Sequence, residues 1–359
     1  MESKKSPFFS VAIPVYNGEK YITACISSIL NQSFKDIEVL VINDGSTDAT
    51  EAIVTKISEN DPRVRIISLE NGGVFRARAY GAAEACGTYL TYCDDDDVHA
   101  DKRAFEKLYK EVKSEAFQLV QCGYYKKFNH LKFKDNPVRV RTEISAEEFY
   151  EREYPYLLTS RNIDSRLMLN TVTKLYHKSL YKKIPCPEGL ERLYMGDDLV
   201  INLHLLEGCT SALYLPDSYY VSYRLNGSTG NYRKNEMHNL DRIKHYQKIF
   251  LDRWNGKAKE KVESLHHFET ADWLYLHIVR SVKEIGEEET RGLVSEVLAL
   301  PAFVRAREYF KDKETDSLPV RLILSNDPDE YVRAAKADRG ASPKARIYNF
   351  IKEKIVFKI

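Results

Sequence analysis

Four aspartates, Asp94 to Asp97, stand side by side in "TYLTYCDDDDVHA", residues 88 to 100, directly after an apolar run. Like charges this close repel and raise one another's pKa. Carboxylates are hard oxygen ligands that suit Mg²⁺ or Mn²⁺, which typically take one or two of them plus substrate phosphates. A bound divalent cation relieves the repulsion and favours the ionised forms. The bland alternative is a solvated run of acids at a helix N-terminus, where Asp97 would meet the positive end of the dipole. His99 is near enough to tempt as a ligand, but a lone histidine just past a loop is more often solvent-facing. A second acidic pair, Asp197-Asp198, precedes "LVINLHLL", in which Leu199, Asn202, Leu203 and Leu206 follow a helical period. That pair belongs at a helix N-terminus, as an N-cap and first-turn acid or as working carboxylates. His204 lies inside the same helix and reads as packing.

The first hundred residues, which carry the four adjacent aspartates, alternate regularly. "FSVAIPV" reads as a buried strand, and Ile22, Cys25, Ile26, Ile29 and Leu30 then fall on one helical face. "IEVLVIN", "VRIISL" and "TYLTYC" are three further strands. Helices from about Thr47 to Asn60 and from Val74 to Cys86 separate them, with Ala49, Ile53 and Ile57 of the first facing inward and Asp48 and Glu51 forming a capping pair. A β-α-β-α-β-α-β series predicts a mostly parallel sheet with helices on both faces. Ligands bind such sheets at the carboxyl ends of the strands. Tyr16-Asn17, Asp44-Gly45-Ser46 and the aspartate run all fall at strand ends, so sequence order alone puts them on one rim.

A helix carrying Phe105, Leu108 and Val112 and a strand "LVQCGYY" follow. "KKFNHLKFKDNPVRVR" holds six Lys/Arg against one Asp; it reads as lysine-protected edge strands or as a phosphate-facing acceptor surface. Beyond Asn235 the pattern is helical and charged, with Ile243, Tyr246, Phe250 and Trp254 as core positions, and "KETDS" (313–317) and "RGASP" (339–343) as loops. The expected organisation is 1–100, 101–232 and a helical region 233–359.

The bulk composition narrows the classes. With 54 basic and 53 acidic residues, the net charge of +1 gives no field for nucleic acid. No apolar run approaches the roughly 20 residues of a membrane span. The opening segment is a poor signal peptide, its apolar stretch being broken by Pro14 and Asn17. The cysteines at 25, 86, 93, 122, 186 and 209 form no C-x-x-C pair and read as reduced thiols of a cytoplasmic protein. No G-x-G-x-x-G follows the first strand, which argues against a nicotinamide dehydrogenase. The last sixteen residues, "KARIYNFIKEKIVFKI", mix basic and apolar side chains. They read either as a docking element or as a peripheral contact with the inner face of the cell membrane.

"VAIPVYNGEKYITACISSILNQSF", "VLVINDGSTDAT", "NGGVFRARAYG" and "GTYLTYCDDDD", in this order, resemble the family 2 glycosyltransferases of the GT-A fold. "KLYHKSLY…PEGLERLYMGDDLVINLHLL" and "YYVSYRLNGSTG" resemble later segments of that family, so residues 8 to 232 are covered. The chain departs in having Asn43-Asp44 for the usual D-D, Ala77-Arg78-Ala79 for A-R-N, and Asp197-Asp198 for E-D. The resemblance implies an α/β, Rossmann-like central sheet flanked by helices, with a helical C-terminal extension. It implies an inverting, Mn²⁺- or Mg²⁺-dependent transfer from a nucleotide-sugar donor, a UDP-sugar, to a hydroxyl of a glycan or lipid-linked acceptor in surface polysaccharide synthesis. By resemblance the Pro14 backbone, Tyr16 and Asp44 hold the base, and Arg78 pairs with the nucleotide or braces Asp44. Asp96 contacts the metal and Asp94 the ribose or a metal-bound water, Asp95 being the variable middle residue of that motif. Asp198, or else Asp197, is the general base, and Arg224 and Ser228 close over the diphosphate. The rival readings are a metal-dependent nucleotidyl or phosphoryl transferase and an inactive sugar-nucleotide binder. Neither composition nor motifs define an oligomeric state.

Overall fold

The computed structural model describes residues 6–99, 101–128, 131–159, 165–180, 193, 196–223 and 235–339. The chain divides into two compact units, Met1–Ser228 and Thr229–Ile359.

The first unit opens with β1 (Phe9–Val15), α1 (Ile22–Leu30), β2 (Ile37–Asn43), α2 (Thr50–Asn60), β3 (Val64–Ser68), α3 (Val74–Glu84) and β4 (Tyr89–Tyr92). β1 and β2 are buried along their whole length, which is why each reads as a mainly apolar run, interrupted by Ser10, Glu38 and Asn43, rather than as an alternation. α1 buries Ile22, Cys25, Ile26 and Ile29, and α3, packed on β1 and β2, buries Phe75, Ala77, Ala79 and Ala82. The remainder is β5 (Val98–His99), α4 (Ala104–Val112), β6 (Leu119–Phe128), β7 (Leu131–Asp135), β8 (Thr142–Ser145), α5 (Ala146–Glu148), a π-helical turn (Phe149–Glu153), α6 (Tyr154–Thr159), β9 (Lys174–His177), α7 (Asp197–Leu206) and β10 (Ser211–Tyr223).

Among the described residues the strands form one sheet, in the order β3-β2-β1-β4-β9-β6-β10-β5, with β7 added to β6 and β8 to β10. β3, β2, β1 and β4 are mutually parallel, as the alternation predicts. β9 then runs antiparallel between β4 and β6, β10 returns parallel to β6, and β5 is antiparallel to β10. The order 3-2-1-4 reverses direction of travel between β1 and β4, and a crevice opens at such a switch point, outside the carboxyl ends of the strands. Pro14 is tolerated inside β1 because pairing with β4 ends at Ala12↔Tyr92, two residues earlier.

Two local expectations are corrected. α2 starts at Thr50 with Ala49 exposed, and its buried residues are Thr50 and Val54. Asp48 and Glu51 form no capping pair: Asp48 accepts from the Thr50 and Glu19 amides, while Glu51 accepts from Ser68 Oγ at 2.7 Å. Both acids are drawn off by cross-loop partners. In the lysine-rich segment, β7 is an edge addition to β6 with Phe133 exposed, and Lys126 pairs with Asp135 at 2.5 Å.

The second unit is helical: α8 (Glu236–Arg253), α9 (Lys259–Glu284), α10 (Glu287–Leu298), α11 (Pro301–Phe310), α12 (Leu318–Ser325) and α13 (Pro328–Arg339). Each of the other five packs on the 26-residue α9. Its core includes Leu274, Ile278, Val294, Phe303, Ile323 and Tyr331. Ile243, Tyr246, Phe250 and Trp254 are buried, as the helical spacing predicts. A buried Lys244–Glu269 ion pair crosses from α8 to α9. Among the described residues no helix is long and apolar enough to cross a membrane. The segment 340–359, which holds the amphipathic C-terminal stretch, lies outside the described residues.

Candidate active site

The rim at the strand ends is laced together before any ligand arrives. The chain leaves β1 at Tyr16, which is 51 % exposed, and turns through Asn17 in the left-handed region at φ 54°. An asparagine tolerates that conformation because its short side chain finds local partners. Here Asn17 Oδ1 accepts from the Thr47 amide at 2.8 Å and the Asn17 amide donates to Ser46 Oγ at 3.0 Å. Gly18 follows, where a Cβ would overlap the Asp95 carboxylate and approach Val15 to 2.6 Å. The loops after β1, β2 and β4 therefore touch.

Asp44 is almost fully buried. Its two oxygens accept from the Gly72 and Gly73 amides at 2.9 and 2.8 Å, and its carbonyl accepts from Asn71 Nδ2. The side chain thus fixes the turn that starts α3. Gly45, at φ 71°, lies so close to that turn that a Cβ would sit 2.7 Å from the Asn71 nitrogen.

The aspartate run forms a tight turn in which the Asp97 amide donates to the Asp94 carbonyl at 3.1 Å. Asp97 is buried and accepts from the Tyr220 hydroxyl at 2.7 Å, so it is not a helix-terminal acid. Asp94, Asp95 and Asp96 are half-buried. Burial raises the pKa of Asp94, with Arg78 pulling against it. Burial, then Asp96 and Asp94, push Asp95 up to about 7. Burial and Asp94 raise Asp96. The turn is a site where full ionisation is costly. His99 is buried on β5 against Phe105 and Tyr220, not solvent-facing, and burial lowers it to about 4.

What joins this turn to the second acidic pair is Arg78. Its guanidinium, only 5 % exposed on α3, donates to Asp94 Oδ1 at 2.7 Å, is ion-paired to Asp197, and stands 3.2 Å from Asp198 Oδ1. Burial opposes its charge, but Asp198 and Asp94 outweigh that and hold its pKa above the ordinary value. Arg78 therefore does not brace Asp44 among the described residues. It bridges acids more than a hundred positions apart in sequence.

Asp197 and Asp198 open α7 behind Gly196, as the apolar period predicts. Asp198 Oδ1 also accepts from the Thr171 hydroxyl at 2.6 Å and the Thr171 amide at 3.2 Å. The 168–173 loop that carries Thr171 is fastened from below: buried Lys174 donates to the Met168 and Asn170 carbonyls. Desolvation brings Lys174 down to about 7. Asn202 receives the Tyr176 hydroxyl at 2.8 Å and donates to the Leu169 and Asp198 carbonyls. Lys174 and Tyr176 stand in the K-L-Y stretch of the sequence and Tyr220 in "YYVSYRLNGSTG", where no role was legible for it; Thr171 carried no signal, because a hydroxyl that positions an acid has no spacing rule. His204 is half-buried within α7. Arg224 and Ser228 lie outside the described residues.

No three His, Cys, Asp or Glu side chains among the described residues converge as a closed metal cage. The donor set instead suits Mg²⁺ or Mn²⁺ held by one or two carboxylates, Asp96 and Asp94, with substrate oxygens completing the shell.

Comparison with known proteins agrees with this architecture. Residues 10–184 match the model of "Glycosyl transferase family 2". The chain is 37 % identical over 220 residues to an uncharacterized glycosyltransferase, EpsJ of Bacillus subtilis, covering 61 % of this chain and 62 % of that one. It is 30 % identical over 222 residues to glycosyltransferase GlyA of Streptococcus pneumoniae, covering 60 % of this chain but 30 % of GlyA. The crystal structure of S. aureus TarS 1–349 in complex with UDP-GlcNAc superposes with a TM-score of 0.62 at 20 % identity, over 92 % of this chain and 91 % of that one. The fold is the GT-A fold, with a helical region after it. Over residues 10–184, just under half of its length, the chain carries a glycosyltransferase family 2 domain. It spans less than two thirds of the length of the curated relatives GlyA and EpsJ.

Proposed function

We propose that the protein is an inverting, divalent-cation-dependent glycosyltransferase that moves a sugar from a UDP-sugar to a hydroxyl of a glycan or lipid-linked acceptor in surface polysaccharide synthesis. The observation that carries this reading is the Arg78 bridge, which gathers Asp94, just beyond the carboxyl end of β4, with Asp197 and Asp198 at the start of α7. The UDP-GlcNAc in the TarS complex supports the choice of donor. Residues 1–100 form the donor half of this scheme and 101–232 the acceptor half.

The exposed ring of Tyr16 and the Pro14 carbonyl end of β1 receive the base. Asp44, with both oxygens committed to amides, acts through the turn it holds and through its remaining lone pairs. Asp96 and Asp94 hold Mn²⁺ or Mg²⁺, which supplies charge stabilisation to the departing diphosphate when bound. Asp95 lies against Gly18 and flanks that position. Asp198, oriented by Thr171, takes the acceptor proton, and inversion follows because the acceptor oxygen bonds to the anomeric carbon on the face opposite the departing diphosphate. Asp197 stays with Arg78 as its counter-ion. Arg224 contacts the diphosphate, an assignment from the motif alone. Peripheral membrane contact through 340–359 belongs to the same reading and predicts that removing these residues lowers cosedimentation with anionic vesicles.

A panel of nucleotide sugars with Mn²⁺ tests the proposal. UDP release without pyrophosphate supports it. Pyrophosphate release would indicate nucleotidyl transfer, and UDP binding without turnover an inactive binder.

A further inference from the structure

The turn that presents Asp94 and Asp96 is closed by a residue far away in the chain. Asp94 and Asp97 are its first and last positions, and one backbone bond joins them. The hydroxyl of Tyr220 spans the same two positions: it accepts from the Asp94 amide at 3.0 Å and donates to Asp97 Oδ2 at 2.7 Å. Tyr220 is 1 % exposed. Its place is fixed on both sides, since Tyr220 pairs with Tyr124 on β6 and with His99 on β5, immediately beyond the turn. A register shift on either side of Ser218 sets this phase, and Asn136 closes the shift by donating to the Leu215 and Asp217 carbonyls at 3.0 and 3.2 Å.

We infer that Tyr220, acting through Asp97, is a positioning residue for the metal-holding turn, one that sets the spacing of Asp94 and Asp96 without touching metal or donor. Asp97 would then serve as the acceptor for that hydroxyl and not as a ligand. The inference rests on the metal reading proposed above and adds a residue to it. Outer-shell partners of this kind orient the ligands, and their loss typically costs about 10–100-fold in metal affinity. Tyr220→Phe keeps the ring that packs against His99 and removes only the hydroxyl.

The test is Mn²⁺ titration by electron paramagnetic resonance on the full chain with saturating UDP, with metal-free UDP binding measured alongside. Tyr220→Phe is expected to weaken Mn²⁺ binding about 10–100-fold while metal-free UDP affinity stays within about twofold. Asp97→Ala should do the same, and Asp97→Asn should recover most of the affinity, because an amide oxygen still accepts the hydroxyl. Wild-type affinity in Tyr220→Phe overturns the inference, as does an Asp97→Asn as weak as Asp97→Ala, which would make the charge itself the working element. If Tyr220→Phe does not fold, the two Asp97 variants decide alone by the same criterion. A wild-type chain that takes up no Mn²⁺ with UDP overturns the metal reading itself, an outcome separable from failure of the variants.

Discussion

Arg78 sets the electrostatics of the rim one residue at a time. A guanidinium carries a fixed charge and several donors, so it can hold Asp94, Asp197 and Asp198 together where a lysine would reach fewer. Replacing it by alanine leaves three carboxylates around a vacated buried position. We expect Arg78→Ala to lose roughly 2–4 kcal/mol of stability in urea unfolding, the lower end reflecting solvent at Asp94 and Asp198. A loss below about 0.5 kcal/mol would mean that the bridge contributes little. Thr171→Val tests the orientation of the proposed base. Removing one hydrogen bond to a charged group should lower kcat roughly tenfold, with UDP affinity unchanged in calorimetry. The sequence made the carboxylates visible because acids after an apolar strand are an anomaly. It left Arg78's partners open, since no local pattern says which of several acids a helix-borne arginine meets.

At the scale of elements, β5 and β10 carry the turn, and the buried histidine between them gives that pairing a pH signature. His99 titrates near 4 in the folded protein against an ordinary value near 6.5, and neither ring nitrogen has a hydrogen-bond partner among the described residues. A base with a depressed folded pKa gives its full contribution above the unfolded value. That contribution is lost as pH falls from 6.5 towards 4, because the unfolded chain takes up a proton that the folded one refuses. His99→Phe should therefore lose less stability than wild type between pH 7 and pH 4.5, the difference reaching at most about 3 kcal/mol in denaturant titrations. Parallel loss in both proteins would show that His99 is not buried neutral. β1, β2 and β4 were legible because strands buried along their length are mostly apolar, β3 because it keeps Val64, Ile66 and Ile67, and their helices because they keep a 3.6 period. β9, inserted antiparallel between β4 and β6, was not, because its partners are set by long-range pairing that no window of sequence contains. The α2 capping pair failed for a related reason: Ser68 at the end of β3 takes Glu51, and the Glu19 amide in the loop after β1 takes Asp48.

For the whole molecule, the GT-A unit and the helical unit are distinct in pattern as well as in packing. The change from strand–helix alternation to uninterrupted helical periodicity beyond Asn235 is visible in the sequence, while the acceptor that the protein serves is not, because pocket shape depends on irregular segments between residues 101 and 230. The central claim is that acids from both ends of the first unit serve one reaction centre. It is tested most directly by UDP release from a UDP-sugar in Mn²⁺, comparing wild type with Asp96→Ala and Asp198→Ala, with UDP binding measured in parallel. The account predicts that Asp96→Ala loses both Mn²⁺-dependent UDP binding and turnover. Asp198→Ala should keep the binding and lose turnover by about 10²–10⁴-fold. Wild-type turnover in Asp198→Ala, beside an inactive Asp96→Ala, would contradict it.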